Sequence, residues 1–273
     1  HSPCWGAGLF MNAIQSGADF FSKQTRIIGA LMMRELATRF GRQGLGFAWL
    51  IGEPLVFCVG VIILWSLTKP AYEHGVRLAP FIMTGYMSLL LFRHQIALSL
   101  GALQANIGLM HHRQVAVFHL FLARNLLEIL GATGAFIVVY AAMIALRQAS
   151  LPHDWLLLYA GWLLLAWMAM GFALILAGLA LRFEVMERVV PVLSYILIPV
   201  SGVFFMVAWV PSAYRDLYLM VPFPHPVEMI RAAVFGEFTP TYYNAPYALA
   251  WAAVFNILGM ALIYGARDRV DVE

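Results

Sequence analysis

Arg93 and His94 stand side by side in the stretch SLLLFRHQIALSL (Ser88 to Leu100), which is otherwise apolar enough to enter a lipid bilayer. A cation near the middle of such a run costs about 2.5–3.5 kcal/mol on insertion, so it faces protein or water rather than lipid. Guanidinium and imidazole together are suited to holding carboxylate or phosphate oxygens. Other chemistry is sparse. Glu53, ahead of Pro54, and Glu128 fall near the same end of their apolar runs, and neither looks like half of a buried proton relay. His111 and His112 are adjacent, so they point to different helix faces and cannot form the i, i+4 pair of a zinc protease. Ser99 (ALSLG) and Ser201 (PVSGV) lack the Gly-x-Ser-x-Gly elbow of a hydrolase. The only lysines, Lys23 and Lys69, follow Ser22 and Thr68, so no Gly-Lys-Ser/Thr phosphate loop exists. Cys4 and Cys58 suggest neither a bridge nor a metal site. No catalytic residue, metal ligand or cofactor site is assigned to this chain.

The elements that must position these residues follow from composition. The chain has 273 residues, 62% hydrophobic and 11% charged, with mean hydropathy +0.80. A soluble domain carries about 25% charged residues, so this is an integral membrane protein. A net charge of +3, spread over short connections, excludes nucleic acid as a partner. Six runs reach the roughly 20 residues needed to span a bilayer core as helices: Phe47–Leu67, Ala79–Leu103, Leu126–Leu146, Trp155–Leu181, Val189–Val210 and Pro246–Ala266. They are continuous rather than alternating, which points to helices and not to a β-barrel. Eleven basic residues flank the spans on the side of the termini and five on the other, so the positive-inside rule puts both termini in the cytoplasm.

Two segments lie outside the spans. Gln24 to Arg42 places Ile28, Met32, Leu36 and Phe40 on one helical side, as expected of a helix along the cytoplasmic interface; a plain basic stop before the first span is the simpler reading. VPFPHPVEMIRAAVFGEF, between the fifth and sixth spans, sets Pro226 as a first helical residue, Glu228 in the first turn and Gly236 past the end. About ten helical residues cannot cross a bilayer, so a re-entrant or interfacial outer helix is expected, against a simple surface loop. The predicted fold class is all-α: six transmembrane helices, an N-terminal interface helix and a re-entrant segment between helices 5 and 6. Residues 24–273 form one transmembrane domain; residues 1–23 are either a disordered N-terminus or, ahead of Met11, a cloning remnant.

RELATRFGRQGLGFAWLIGEPL (Arg34 to Leu55), LQANIGLMHHRQVAVFHLFLARNLLE (Leu103 to Glu128) and PFPHPVEMIRAAVFGEF (Pro222 to Phe238) resemble the membrane subunit of bacterial capsular polysaccharide ABC exporters, within the type-2 ABC permeases. The likeness runs from about residue 24 to the C-terminus. RQVAVFHLF departs from it by lacking a proline after the basic residue. The resemblance implies a homodimer in the bacterial inner membrane with two cytoplasmic ATPase subunits, which carry ATP and Mg. It also implies a cargo of acidic capsular polysaccharide on a phospholipid anchor, and periplasmic and outer-membrane polysaccharide export proteins as further partners. Alternatives are an O-antigen or teichoic acid exporter and, from other classes, an intramembrane glycan-modifying enzyme or a purely structural subunit.

On that reading Arg93 and His94 line an aqueous passage; the competing one pairs Arg93 with Glu128 or Glu53, or with backbone carbonyls. Trp155, Tyr159 and Trp162, with Phe204, Phe205 and Trp209, are either a glycan-guiding stripe or an interfacial anchor belt. Coupling to the motor is assigned to Arg34, Glu35, Arg39 and Arg42 on the interface helix, to Asn106, His111, His112 and Arg113, and more weakly to Glu184 and Glu187. Pro226, Glu228, Arg231 and Gly236 would form the outer gate.

Overall fold

A computed structural model describes residues 22–38, 46–99, 117–236 and 239–265. Helix α1 covers residues 22–38. It is followed by α2 (Gly46–Thr68), a two-stranded hairpin of β1 (Tyr72–Glu73) and β2 (Val76–Arg77), α3 (Leu78–Ser99), α4 (Val117–Ala145), α5 (Trp155–Ala180) and α6 (Val185–Val200). A 3₁₀ turn (Val207–Trp209), α7 (Ser212–Tyr218), α8 (Pro224–Phe235) and α9 (Ala245–Tyr264) complete the described chain.

Four of the six expected spans are helices long and apolar enough to cross a membrane: Ala48–Thr68, Phe118–Ala145, Trp155–Ala180 and Ala245–Tyr264. The other two differ for separate reasons. Helix α3 has 22 residues but carries Thr84, Ser88, Arg93, His94 and Gln95. It is walled in by α2, α4, α5, α6 and α8, so few of its side chains need to be lipid-like. Two of its hydroxyls are satisfied on its own backbone, Thr84 Oγ1 donating to the Pro80 carbonyl at 3.0 Å and Ser88 Oγ to that of Thr84 at 2.6 Å. Helix α6 stops at Val200 rather than Val210, after 16 residues or about 24 Å. Pro199 lies in its last turn and Gly202, at φ 72°, bends the chain away. Helix α4 begins at Val117, well ahead of the expected Leu126.

Helices α3 and α5 occupy the middle. α5 packs so closely on α9 that a Cβ on Gly171 would stand 2.7 Å from the Asn256 backbone nitrogen, and one on Gly259 2.5 Å from Leu174 Cβ. Small residues at such crossings let backbones meet where apolar side chains gain nothing by leaving lipid.

The bundle has two distinguishable ends. At one, Glu35 meets Arg124, and Phe121, Leu174, Ala177 and Ile263 form a small apolar cluster joining the starts and ends of α4, α5 and α9. At the other, Arg77 reaches the Arg147 carbonyl, the His74 ring stacks on Trp209 at 4.5 Å, and the His153 N–H bonds the Ala233 carbonyl. The hairpin there is built on His74 and Gly75, both at positive φ (50° and 83°), the backbone of a two-residue turn between twisted strands.

Candidate functional site

Arg93 and His94 line a cavity of about 590 Å³ between α2, α3 and α6, with Glu53, Phe57, Ser194 and Tyr195 on its other walls. The adjacent side chains diverge. The Arg93 guanidinium lies 5.2 Å from the Tyr195 ring centre, a cation–π contact across to α6. His94 Nδ1 faces Glu128 Oε2 of α4 at 3.4 Å, and Glu128 is nearly buried. Of the carboxylates weighed for Arg93, Glu128 is taken by its neighbour and Glu53 shares the cavity. Six residues separate Arg93 from the end of α3, about 9 Å along the axis, so the cation sits in the helix's final third, on the side of α1. A guanidinium, an imidazole, a hydroxyl and an aromatic face in one cavity form a surface that can hold oxyanions and stack sugar rings.

The aromatic stripe on α5 divides. Trp155 and Tyr159 are exposed, with ring centres 6.4 Å apart. Trp162 is buried, donating Nε1–H to Thr133 Oγ1 at 2.9 Å with its ring 4.9 Å from Phe136. On the chain after α6, Phe204 stacks on Trp65 at 5.5 Å, while Phe205 meets Tyr218 at 5.4 Å and Trp209 meets Phe81 at 5.0 Å, both with tilted rings. These three rings knit the loop to α2, α3 and α7.

Helix α8 begins two residues earlier than expected, with Pro224 at its first position, so Pro226 falls in the first turn and Glu228 beyond it. Both prolines are tolerated because the first four N–H groups of a helix have no intrahelical partner. Gly236 caps the end at φ 64°. Pro226, Glu228 and Arg231 are all buried, packed against α3, α5 and α9. Among the described residues Arg231 is the largest fully buried side chain. Its Nη1 donates to the carbonyls of Gly202 and Phe205 at 2.7 and 2.6 Å, and its Nη2 to that of Val203 at 2.6 Å. Glu228 accepts the backbone N–H of Val207 and of Tyr242, both at 3.3 Å. Burial pushes its carboxyl above the usual range, while the Arg231 charge works against that. His225 bridges in the same manner, Nε2 to the Leu219 carbonyl at 2.9 Å and Nδ1 to the Asn244 N–H at 3.0 Å. One short helix thus organises both loops that flank it.

At the α1 end, Glu35 Oε1 lies 3.0 Å from Arg124 Nε, both largely buried, and Gln24 bonds His119. Arg34 is exposed. Glu184 precedes α6 and Glu187 lies in its first turn, both exposed. Arg39, Arg42, Asn106, His111, His112 and Arg113 lie outside the described residues, as do residues 1–21. Among the described residues no group of three His, Cys, Asp or Glu side chains gathers that could hold a metal. The His94–Glu128 and Glu35–Arg124 contacts were not foreseen, although the two partners on α4, four residues apart in RNLLE, would fall on one helical face.

Residues 26–235 match the family described as ABC-2 type transporter. The capsule polysaccharide export inner-membrane protein CtrC of Neisseria meningitidis serogroup A is 36% identical over 250 residues, 92% of this chain and 94% of that protein. BexB of Haemophilus influenzae, described in the same words, is 33% identical over the same shares. The polysialic acid transport protein KpsM of Escherichia coli is 30% identical over 257 residues, 91% of this chain and 96% of that protein.

Proposed function

This chain belongs to the ABC-2 type transporter family, and from that premise we propose that it is the membrane subunit of an exporter moving lipid-anchored acidic capsular polysaccharide across the bacterial inner membrane. The observation that carries this reading is similarity over nearly the full length of three differently named capsule or polysialic acid transport proteins. With no phosphate loop of its own, the chain takes its drive from two ATPase subunits that bind ATP and Mg, and it forms the passage with a second copy of itself. Helices α3 and α6 complete six spans, α1 lies along the cytoplasmic face, both termini are cytoplasmic, and α8 is the re-entrant element on the outer side. Periplasmic and outer-membrane export proteins receive the polymer.

In this reading the Arg93 cavity is the cytoplasmic mouth of the passage. Among the described residues Arg93 is held by a ring rather than a carboxylate, which suits its N–H donors to acidic groups on the cargo. The buried α8 and its two loops form a rigid outer lintel, so opening comes from rigid-body shifts of the spans around it.

The test is to co-purify the chain with its candidate ATPase and add lipid-linked capsular glycan. Stimulated hydrolysis is expected. Stable association without stimulation, or turnover of a sugar substrate by this chain alone, would discard the proposal.

A further inference from the structure

At the hairpin end, β2, the α4–α5 turn and the end of α8 border a second, open cavity of about 460 Å³, lined by Arg77 and Arg147, both exposed, and by Gln148, Ser150, His153 and Thr239. Arg147 stands at φ 57°, a left-handed conformation unfavourable for a residue with a side chain. Its N–H bonds the Ile144 carbonyl at 3.0 Å and that of Gln148 bonds Met143 at 2.8 Å, the paired bonds of a helix end where glycine is the usual occupant. Arg77 is clamped beside it: Nη1 donates to the Arg147 carbonyl at 2.6 Å and Nε to the Tyr72 hydroxyl at 2.9 Å. The His153 ring packs against Gly236, where a Cβ would meet it at 2.7 Å.

Two arginines on the wall of one cavity set like charges near each other, and an anion between them would offset their repulsion. Among the described residues no carboxylate lines the cavity. Nearby, Asp154 accepts the Leu157 N–H at 2.9 Å, and Glu73 pairs with Lys69 at 3.2 Å. We propose that this cavity binds an oxyanion, a carboxylate or phosphate, between Arg77 and Arg147. Its source is an acidic sugar of the emerging glycan or the headgroup of an anionic lipid. Naming the glycan rests on the exporter reading; the oxyanion site does not.

The chain, reconstituted in phosphatidylcholine nanodiscs, is titrated with oligogalacturonate and with an uncharged maltooligosaccharide of equal length. Arg147→Gly removes the cation while favouring the observed backbone, so it should melt no lower than the parent. Oligogalacturonate should bind the parent in preference to the neutral oligomer, about tenfold or more weakly to Arg147→Gly, and nearly normally to Arg147→Lys. If instead phosphatidylglycerol is retained selectively from mixed nanodiscs, and Arg147→Gly abolishes that retention, the anion is a lipid headgroup. The site is overturned if Arg147→Gly matches the parent toward both probes, or if neither probe binds the parent. It is also overturned if Glu237→Gln creates binding that the parent lacks, because Glu237, next after Gly236 in sequence, would then be the arginines' own counterion. Failure of the exporter reading shows separately, in the ATPase stimulation assay on the unsubstituted chain.

Discussion

Arg231 and Glu228 stand one turn apart on α8, Nη1 3.4 Å from Oε1, with 0% and 1% of their side chains exposed. A pair so buried persists only because each charge is also tied to backbone, and that backbone belongs to the loops before and after α8. Removing one partner leaves the other's charge uncompensated in a low-dielectric interior.

Arg231→Met should therefore lower stability by about 3–5 kcal/mol, through the stranded Glu228 and three unpaired carbonyls. The double variant Arg231→Met, Glu228→Gln should lose less than the sum of the single losses. Thermal melts of the detergent-purified chain check both; additive losses would mean the two side chains act independently.

Gly85 faces the same buried arginine. A Cβ there would lie 2.2 Å from the Val203 carbonyl oxygen and 3.1 Å from Arg231 Nη2. Because the first obstacle is backbone, Gly85→Ala should cost at least about 1–3 kcal/mol. Gly60, on α2 with nothing within 4 Å of its Cβ position, should accept alanine with no loss. Equal melting of the two variants would contradict the packing described.

His225 is held neutral, its Nε2–H donating to Leu219 and its Nδ1 accepting from Asn244. Burial lowers its pKa below the ordinary histidine value, with the Leu219 carbonyl working against that. The unfolded chain then binds more protons than the folded one as pH falls through about 6.5, so stability should fall with it and level off below the depressed folded value. His225→Gln should be less stable than the parent near neutrality and should lose this part of the pH slope. Parallel slopes would remove His225 from the account.

Arg93→Ala should leave expression, membrane insertion and association with the ATPase unchanged while reducing export, with Arg93→Lys intermediate. Surface glycan measured against membrane protein level decides this. Full export by Arg93→Ala would end the passage role.

Reversing Glu35 or Arg124 alone should detach α1 from α4 and weaken ATPase stimulation. The exchanged pair Glu35→Arg, Arg124→Glu should recover part of it, a coupling of about 1–3 kcal/mol by double-mutant cycle on melting. No recovery would assign the loss to something other than this contact.

Much of this architecture was legible because a bilayer demands long apolar helices: α2, α5 and α9 lie within a few residues of their expected bounds. Departures from the lipid-like pattern fall where protein rather than lipid is the surrounding medium. Helix α3 is polar because it is enclosed, and α6 is short because Gly202 turns the chain. Arg231, expected at the outer gate, is buried instead: Val227, Ile230 and Val234 surround it at helical spacing and Glu228 sits three residues before it. That apolar setting was the available sign of burial. Arg93 and His94 were recognisable as out of place, but their separation toward Tyr195 and Glu128 depends on which helices flank α3, and a single chain's spacing does not encode that.

The contact of α5 with α9, where Gly171 and Gly259 sit directly against Asn256 and Leu174, makes the two helices a single strut. A strut cannot shear without colliding with itself, so whatever displacement accompanies a transport cycle falls on the opposite flank. There α2 and α6 present Phe57, Ile63, Leu64, Val192 and Ile196 outward and touch their neighbours more sparingly.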